Sequence, residues 1–178
     1  MKTRFIKPAT CYAVALLACA SALAIADDEV KTPPASPRLE AIKALAGEWV
    51  RVGEDGKPTD EIVSTYRVTA GGSAVIETLF PGKPHEMVTV YHDDGDALVL
   101  THYCMLGNQP RMRARATDHA NKFVFTCAGG TNMASHDDPH MHEEVLTIVD
   151  ANHIKASWQQ FVKNAPKDSV EFDLVRKR

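Results

Sequence analysis

Histidine and cysteine residues occur twice in this chain as pairs at two-residue spacing. His102 and Cys104 form one pair, and His140 and His142 form the other. Because side chains alternate across a β-strand, residues i and i+2 project from the same face, about 6–7 Å apart. Each pair is therefore spaced to hold one small ligand or one metal ion. Imidazole and thiolate are donors that Zn²⁺ and copper accept, so the pairs mark a candidate binding site.

The elements that must position these pairs are short strands. Gly71-Gly72, Pro81-Gly82 and similar turn signals separate segments with the composition of strands. A short helix precedes the strands, with Ser36 as its N-cap and Pro37 at its first position. The pattern predicts ten strands, at residues 48–52, 62–68, 74–80, 86–92, 97–104, 111–117, 122–127, 140–149, 154–162 and 169–175.

Ten short strands in succession predict an all-β fold, a closed antiparallel up-and-down barrel, because closure removes the exposed edges of a flat sheet. The barrel domain is predicted over residues 38–178. In such a meander, odd strands end and even strands begin at the same end of the barrel. Both pairs, together with Cys127, are thus predicted at one mouth. Each continues the apolar, inward-facing side of its strand.

A polar mouth above an apolar interior predicts a cup for a small molecule. No residue is assigned a catalytic role. The residues predicted to contact the ligand are His85, Met87, His102, Cys104, Asn108, Gln109, Met112, Cys127, His140, His142, Trp158 and Gln160.

One short motif carries a family resemblance. Residues 45–49, Leu-Ala-Gly-Glu-Trp, follow the predicted helix and open the first strand. A Gly-x-Trp motif in this place, followed by a meander of eight to ten strands, resembles the calycin group of lipocalins, fatty-acid-binding proteins and nitrobindin-like haem barrels. Within that group the chain is most similar to secreted bacterial lipocalin-like barrels of uncharacterised function. The resemblance implies a ligand in an interior cavity and a structural role for Trp49 at the closed end.

A metal- or haem-binding barrel is the alternative to a small-molecule cup. His102, Cys104, His140 and His142 supply a donor set for Zn²⁺ or a copper ion, and haem is a further possibility. The two pairs lie three strands apart, roughly 14 Å along the sheet, so their convergence depends on the curvature of the barrel. His136, next to Asp137 and Asp138, is interpreted as part of a solvated loop.

Cys104 and Cys127 are predicted as free thiols. The strand between theirs separates their Cα atoms by about 10 Å, beyond the ~7 Å limit for a disulfide. An enzyme with Cys104 as nucleophile and His102 as base is the third function class. Because no orienting acid and no hydrolase motif accompany them, binding is preferred over catalysis.

The N-terminus is typical of an export signal. Residues 1–26 combine a basic start, an apolar run at 12–20 and a small-x-small cleavage site at 24–26. This predicts a periplasmic or secreted protein. Residues 16–19 also resemble a lipobox, which would make the protein a lipoprotein anchored through Cys19. Residues 27–37 are polar and contain three prolines, which is typical of a disordered linker.

Charge and length limit the classes of partner. Removal of residues 1–26, which hold three basic and no acidic residues, changes the net charge from −3 to −6. An acidic chain without a basic stripe argues against nucleic acid as a partner. After processing we expect one domain with no integral membrane insertion and a small-molecule partner. The sequence does not predict an oligomeric state.

Overall fold

The computed structural model describes residues 34–117 and 119–178. The predicted signal sequence at residues 1–26, and all but the last four residues of the predicted linker, lie outside these ranges. Within the two described ranges, no helix has the length and apolar character of a membrane span.

A single short α-helix opens the described part of the chain, as predicted. Helix α1 (Pro37–Lys43) begins after Ser36, whose hydroxyl accepts a hydrogen bond from the backbone N–H of Leu39 at 3.1 Å. The same hydroxyl donates to Asp93 at 2.7 Å. Leu39 and Ile42 are buried on one side of the helix. The bond from Ser36 to Asp93 and this apolar stripe together attach α1 to the strands.

Ten strands follow the helix, and each overlaps a predicted one. They are β1 (Gly47–Val52), β2 (Pro58–Thr69), β3 (Ala74–Leu79), β4 (Met87–Asp94), β5 (Ala97–Tyr103), β6 (Gln109–Ala114), β7 (Lys122–Thr131), β8 (His140–Asp150), β9 (His153–Val162) and β10 (Ala165–Arg176). The differences are confined to strand ends. The largest are extensions of four residues, at the starts of β2 and β10 and at the end of β7, which continues to Thr131 instead of ending at Cys127.

Every strand pairs antiparallel with its neighbours in sequence, and β1 also pairs with β10. The sheet is therefore a closed barrel with the order of a simple meander. The predicted all-β, closed, up-and-down architecture is confirmed. Its interior is filled by a core of large buried side chains, among them Trp49, Tyr91, Phe125, Leu100 and Leu146.

Trp49 and Arg176 join the first and last strands of the barrel where β1 pairs with β10. The buried Trp49 indole donates to the carbonyl of Leu45 at 2.8 Å, and the Arg176 guanidinium lies 4.5 Å from the Trp49 ring centroid. The guanidinium also donates to the carbonyls of Ala44, at 3.0 Å, and Ala46, at 2.7 Å, just beyond the end of α1. One planar side chain thus holds helix, first strand and last strand together.

We expect Arg176→Lys to lower the free energy of unfolding by about 1–2 kcal/mol. Lysine keeps the charge but cannot make the same set of fixed hydrogen bonds or stack on the indole in the same way. Urea unfolding monitored by circular dichroism measures the loss. The matched control is Arg178→Lys, at the exposed last residue, where the change should stay within about 0.5 kcal/mol. Equal losses in the two variants would contradict the assigned role.

Candidate functional site

The β7–β8 hairpin separates into two branches near its tip. Pairing between the two strands runs from Lys122↔Thr147 to Thr126↔Glu143. Beyond that point β7 continues along β6 as far as Thr131, while β8 continues along β9 as far as His140. The strand ends therefore part from each other, and the loop at residues 132–139 connects them.

Four metal-type donors gather where the branches part. Cys127, His136, His140 and His142 each offer one ligand atom, and these atoms all lie within 4.8 Å of one another. We call this group the hairpin cluster. Cys127 comes from β7, His136 from the loop, and His140 and His142 from the start of β8. One hairpin of the barrel therefore supplies the whole set.

A β-bulge places His142 in the cluster. Met141 pairs with Gln160 and Glu143 with Gln159, so His142 has no partner of its own in the β8–β9 ladder. A bulge leaves its extra residue outside the regular alternation and re-aims the side chain. The His142 imidazole stacks on Phe161, with 3.9 Å between ring centroids and planes 13° apart, which fixes the orientation of the ring.

The hydrogen bonds of His140 show which of its nitrogens faces the cluster. Its Nδ1 lies 2.7 Å from the backbone carbonyl of Asp138. Since a carbonyl only accepts, Nδ1 carries a proton, and Nε2 is the nitrogen that remains for a metal ion. That Nε2 is 3.0 Å from Nδ1 of His142, and one of these two nitrogens donates to the other. His140 is thus oriented by a backbone group, as metal-binding histidines usually are.

The loop that carries His136 is held by the neighbouring β5–β6 turn. Asn108 donates to the carbonyl of Pro139 at 2.8 Å, and Asn132 donates to the Gln109 side chain at 3.1 Å. The backbones approach so closely that a Cβ on Gly130 would lie 2.7 Å from the carbonyl oxygen of Gln109. Only glycine fits there. Asn108 and Gln109, predicted to contact a ligand, instead support this loop.

The electrostatics of the hairpin cluster favour the neutral form of the His142 imidazole. Burial lowers the pKa of His142 below its ordinary value, and the neighbouring His140 and His136 lower it further. Burial raises the pKa of the Cys127 thiol, although a hydrogen bond from the backbone of Gly129 acts in the opposite direction. The thiol lies 3.4 Å from the Gly129 carbonyl, to which it can donate while it is protonated. Without a cation the thiol stays protonated, and a bound divalent metal would have to displace that proton.

The donor set predicted from the sequence needs correction. His140 and His142 belong to the hairpin cluster, but His102 and Cys104 do not. His102 is buried inside the barrel, with Nδ1 3.0 Å from the hydroxyl of Thr89. Cys104 is buried just after the end of β5, where its N–H donates to the carbonyl of Asn108. The strand-face argument assigned all four residues to one mouth, but two strands, β6 and β7, lie between the two pairs.

The other predicted ligand residues are distributed over the same end of the barrel. His85 is exposed and packs on Phe80, with 4.6 Å between ring centroids. Met112 belongs to the buried core. Met87 and Trp158 line an interior cavity together with His102, and Gln160 is half-buried opposite Met141. Cys104 and Cys127 are both free thiols.

The sequence analysis missed a group of buried polar residues inside the barrel. The Tyr91 hydroxyl lies between two carboxyl groups, with oxygen–oxygen distances of 2.8 Å to Glu77 on β3 and 2.9 Å to Glu144 on β8. It donates its one proton to one of them at a time, and a protonated carboxyl can donate to its oxygen in turn. Ser64 also donates to Glu77, at 2.8 Å. All four residues are buried. Burial and the nearby Glu77 raise the pKa of Glu144 well above the ordinary range of a carboxyl.

Two signals in the sequence pointed to the missed residues. His136, His140 and His142 fall within seven positions of one predicted hairpin, so local density was a better guide than strand-face matching across the barrel. Glu77 occupies the inward phase of Val75 and Leu79, as Glu144 does for Leu146. A carboxylate at the apolar phase of a strand indicates a buried polar network.

Comparisons with known proteins do not assign this chain to a family. No known family model matches this chain, and no curated protein is similar to it at a significant level. The closed ten-stranded barrel is compatible with the calycin fold.

We expect Glu77→Gln to make the free energy of unfolding less dependent on pH. Burial raises the pKa of Glu77, while bonds from Tyr91 and Ser64 oppose the shift. Above the unfolded pKa of about 4.3 the folded state therefore holds this proton more tightly than the unfolded chain does. Stability from Glu77 is complete below that pH and is lost as pH rises toward the folded pKa.

The measurement is the difference between wild type and variant in urea unfolding at a series of pH values from 4 to 8. Subtraction cancels the titration of other groups. The wild type should lose stability relative to Glu77→Gln as the pH rises. Glu171→Gln, at an exposed position of β10, is the matched control and should run parallel to the wild type. A parallel curve for Glu77→Gln would contradict the prediction.

Proposed function

We propose that this protein binds a transition-metal ion, Zn²⁺ or copper, at the hairpin cluster. The observation that carries the proposal is the convergence of one thiol and three imidazoles, with ligand atoms within 4.8 Å of one another. Four such donors are the number that a tetrahedral site requires. Exposed acidic residues gather often on protein surfaces, whereas a half-buried thiol with three imidazoles is a more selective set.

Geometry and chemistry support this choice of metal. Around a tetrahedral Zn²⁺ at ordinary bond lengths, ligand atoms lie about 3.3–3.8 Å apart, so the cluster needs only a modest contraction. Mixed nitrogen and sulfur donors favour Zn²⁺ and copper over Mg²⁺ or Ca²⁺, which prefer oxygen. His140 is already oriented by the Asp138 carbonyl at 2.7 Å, and that bond would increase its basicity as a ligand.

Four protein donors fill a tetrahedral site and leave no position open for a substrate. The proposed role is therefore to hold the metal rather than to use it as a catalyst. A bound ion would also join β7 to β8 beyond Thr126↔Glu143, the last pair of their ladder. His136 is exposed, whereas His140 is buried, so we expect the ion to enter and leave on the His136 side.

The proposed metal site takes the place of the ligand cup as the main function, because the barrel interior has little room for a large ligand. The interior cavity beside His102 measures about 100 Å³, while pockets for drug-sized ligands usually measure about 300–1,000 Å³. A bulky lipid or haem is therefore not part of the proposal. The calycin resemblance is retained only as a hypothesis about descent, on the strength of the Gly-x-Trp motif at Gly47 and Trp49.

We expect the protein, purified without a histidine tag, to bind Zn²⁺ stoichiometrically and to lose it in Cys127→Ser and His142→Ala. Loss of a direct ligand should raise the dissociation constant by more than the roughly 10–100-fold caused by loss of an outer-shell partner. Isothermal titration measures the affinity. Co²⁺ substituted for Zn²⁺ should give an intense visible band and a sulfur-to-metal charge-transfer band, and Cys127→Ser should abolish the latter.

The matched controls are Cys104→Ser and His85→Ala, which change the same residue types outside the hairpin cluster. Both should bind Zn²⁺ with wild-type affinity. If Cys104→Ser abolishes binding while Cys127→Ser does not, the site assignment is wrong. If the wild-type protein binds neither Zn²⁺ nor copper, the proposed function is wrong.

Asn108→Ala should weaken Zn²⁺ binding about tenfold without removing a ligand, because Asn108 holds the loop through the Pro139 carbonyl. The same titration measures this effect. Gln160→Ala, on the neighbouring strand β9, provides the comparison and should bind normally. An unchanged affinity in Asn108→Ala would show that the loop needs no support from the β5–β6 turn.

We also propose that the protein works outside the cytoplasm, on the basis of the signal-like residues 1–26. N-terminal sequencing and mass spectrometry of the processed protein test this directly. A mature chain beginning at Asp27 would support soluble export, and one beginning at a lipidated Cys19 would support the lipoprotein alternative. An intact N-terminus in the cell extract would contradict both.

A further inference from the structure

Two aromatic side chains inside the barrel have polar atoms without partners. His102 and Trp158 are 1% and 2% exposed. Within residues 34–117 and 119–178, Nε2 of His102 and Nε1 of Trp158 are buried and make no hydrogen bond. A buried polar group left unpaired destabilises the folded state. The two rings lie together, with 4.5 Å between their centroids, so both costs fall at one place.

A cavity of about 100 Å³ lies against these two rings. Its other walls are apolar and include Phe80, Met87, Met141 and Phe172. An apolar cavity of ~150 Å³ in another protein holds benzene, so this one suits a molecule of about one ring or smaller. An apolar chamber beside two unpaired nitrogens matches a ligand with an apolar body and one polar group.

One wall of the cavity is held in an uncommon conformation. Phe80 has φ +54°, a left-handed backbone conformation that is unfavourable for a bulky residue. Its N–H donates to the carbonyl of Val63 at 2.7 Å, and its ring packs on His85 and Phe172. The structure thus maintains the Phe80 ring at the cavity against a local conformational cost.

We propose that this cavity is a second binding site, for a small uncharged molecule with an apolar body and a single hydroxyl group. The apolar body occupies the cavity between Phe80, Met87 and Phe172. The hydroxyl bonds to His102 Nε2 and Trp158 Nε1, with a small rotation of either ring to bring its nitrogen to the cavity wall. A hydroxyl both donates and accepts, so one group pairs the two orphaned atoms.

The electrostatics of the site agree with an uncharged occupant. Burial lowers the pKa of His102 to about 4, which leaves the imidazole neutral at physiological pH. Its Nδ1 is already engaged with the Thr89 hydroxyl at 3.0 Å. Between neutral rings and apolar walls, a charged ligand would be stripped of water without an opposite charge to compensate it.

The cavity shares no residue with the hairpin cluster, but Met141 of its wall lies between the metal donors His140 and His142 in β8. The test therefore uses the full exported chain in EDTA, so that metal does not contribute. The probes are phenol and toluene, which have nearly the same shape and differ in one hydroxyl group. Zn²⁺ binding, measured separately on the same preparation, distinguishes a failure of this inference from a failure of the proposed metal site.

Two-dimensional NMR of ¹⁵N-labelled protein reports the contact directly, because the chain has two tryptophans and thus two indole N–H signals. Trp158→Phe assigns them. Phenol should shift the Trp158 signal progressively, while the Trp49 signal should stay in place because its N–H is engaged with Leu45 at 2.8 Å. Trp49 is thus an internal control within the same sample.

We expect phenol to bind at least roughly tenfold more tightly than toluene, because a site with orphaned polar atoms rejects an analogue that lacks the hydroxyl. His102→Phe should reduce that preference to less than about threefold while leaving toluene binding nearly unchanged. The matched variant His92→Phe, on β4 outside the cavity lining, should keep the preference. Melting temperatures of both variants verify that they fold.

Three results would overturn the inference. These are equal affinity for phenol and toluene, no shift of the Trp158 indole signal at saturating phenol, and an unchanged phenol preference in His102→Phe. The first would indicate non-specific apolar binding. The second would mean that the indole nitrogen of Trp158 is not a contact, and the third would mean that the hydroxyl bonds elsewhere.

Discussion

Closure of the sheet is the constraint on which the rest of this structure depends. Because β1 pairs with β10 as well as with β2, the barrel has no free edge, and each inward side chain must find its partners inside. Apolar residues satisfy this by packing, but Glu77 and Glu144 cannot. Tyr91 meets part of this requirement by placing its hydroxyl between the two carboxyl groups, at 2.8 and 2.9 Å, while Oε2 of Glu144 has no hydrogen-bond partner among the described residues. One phenol group therefore connects strands from opposite parts of the meander.

The same constraint explains why the candidate metal donors lie at the tip of one hairpin. Each strand in a closed barrel pairs with two neighbours. Where two paired strands each stay with their other neighbour, the ladder between them ends and a gap opens. β7 remains with β6 to Thr131, and β8 remains with β9 to His140. The hairpin cluster occupies the resulting gap. A site made from one hairpin needs little long-range organisation, since the chain itself brings Cys127 and His142 within fifteen positions of each other.

Alternation along strands predicted much of the fold and part of the site. It identified all ten strands, while the Ser36 cap and Pro37 identified the helix. It failed where the regular alternation stops. The bulge at His142 and the loop position of His136 place these residues beside Cys127, and neither follows from a two-residue period. Alternation did place His102 inside the barrel, where it is buried, but His102 does not belong to the hairpin cluster.

The sequence by itself determined the class of architecture, since strand periodicity, turn residues and the number of segments leave an antiparallel meander as the consistent solution. It also indicated a group of imidazole and thiol side chains at one end of the barrel. Only the tertiary structure decided which of these groups share a site. Register shifts of one residue and the divergence of two strands change side-chain distances by several ångströms. Such shifts decide whether four donor atoms lie within 4.8 Å of one another. Local sequence patterns do not predict distances to that precision.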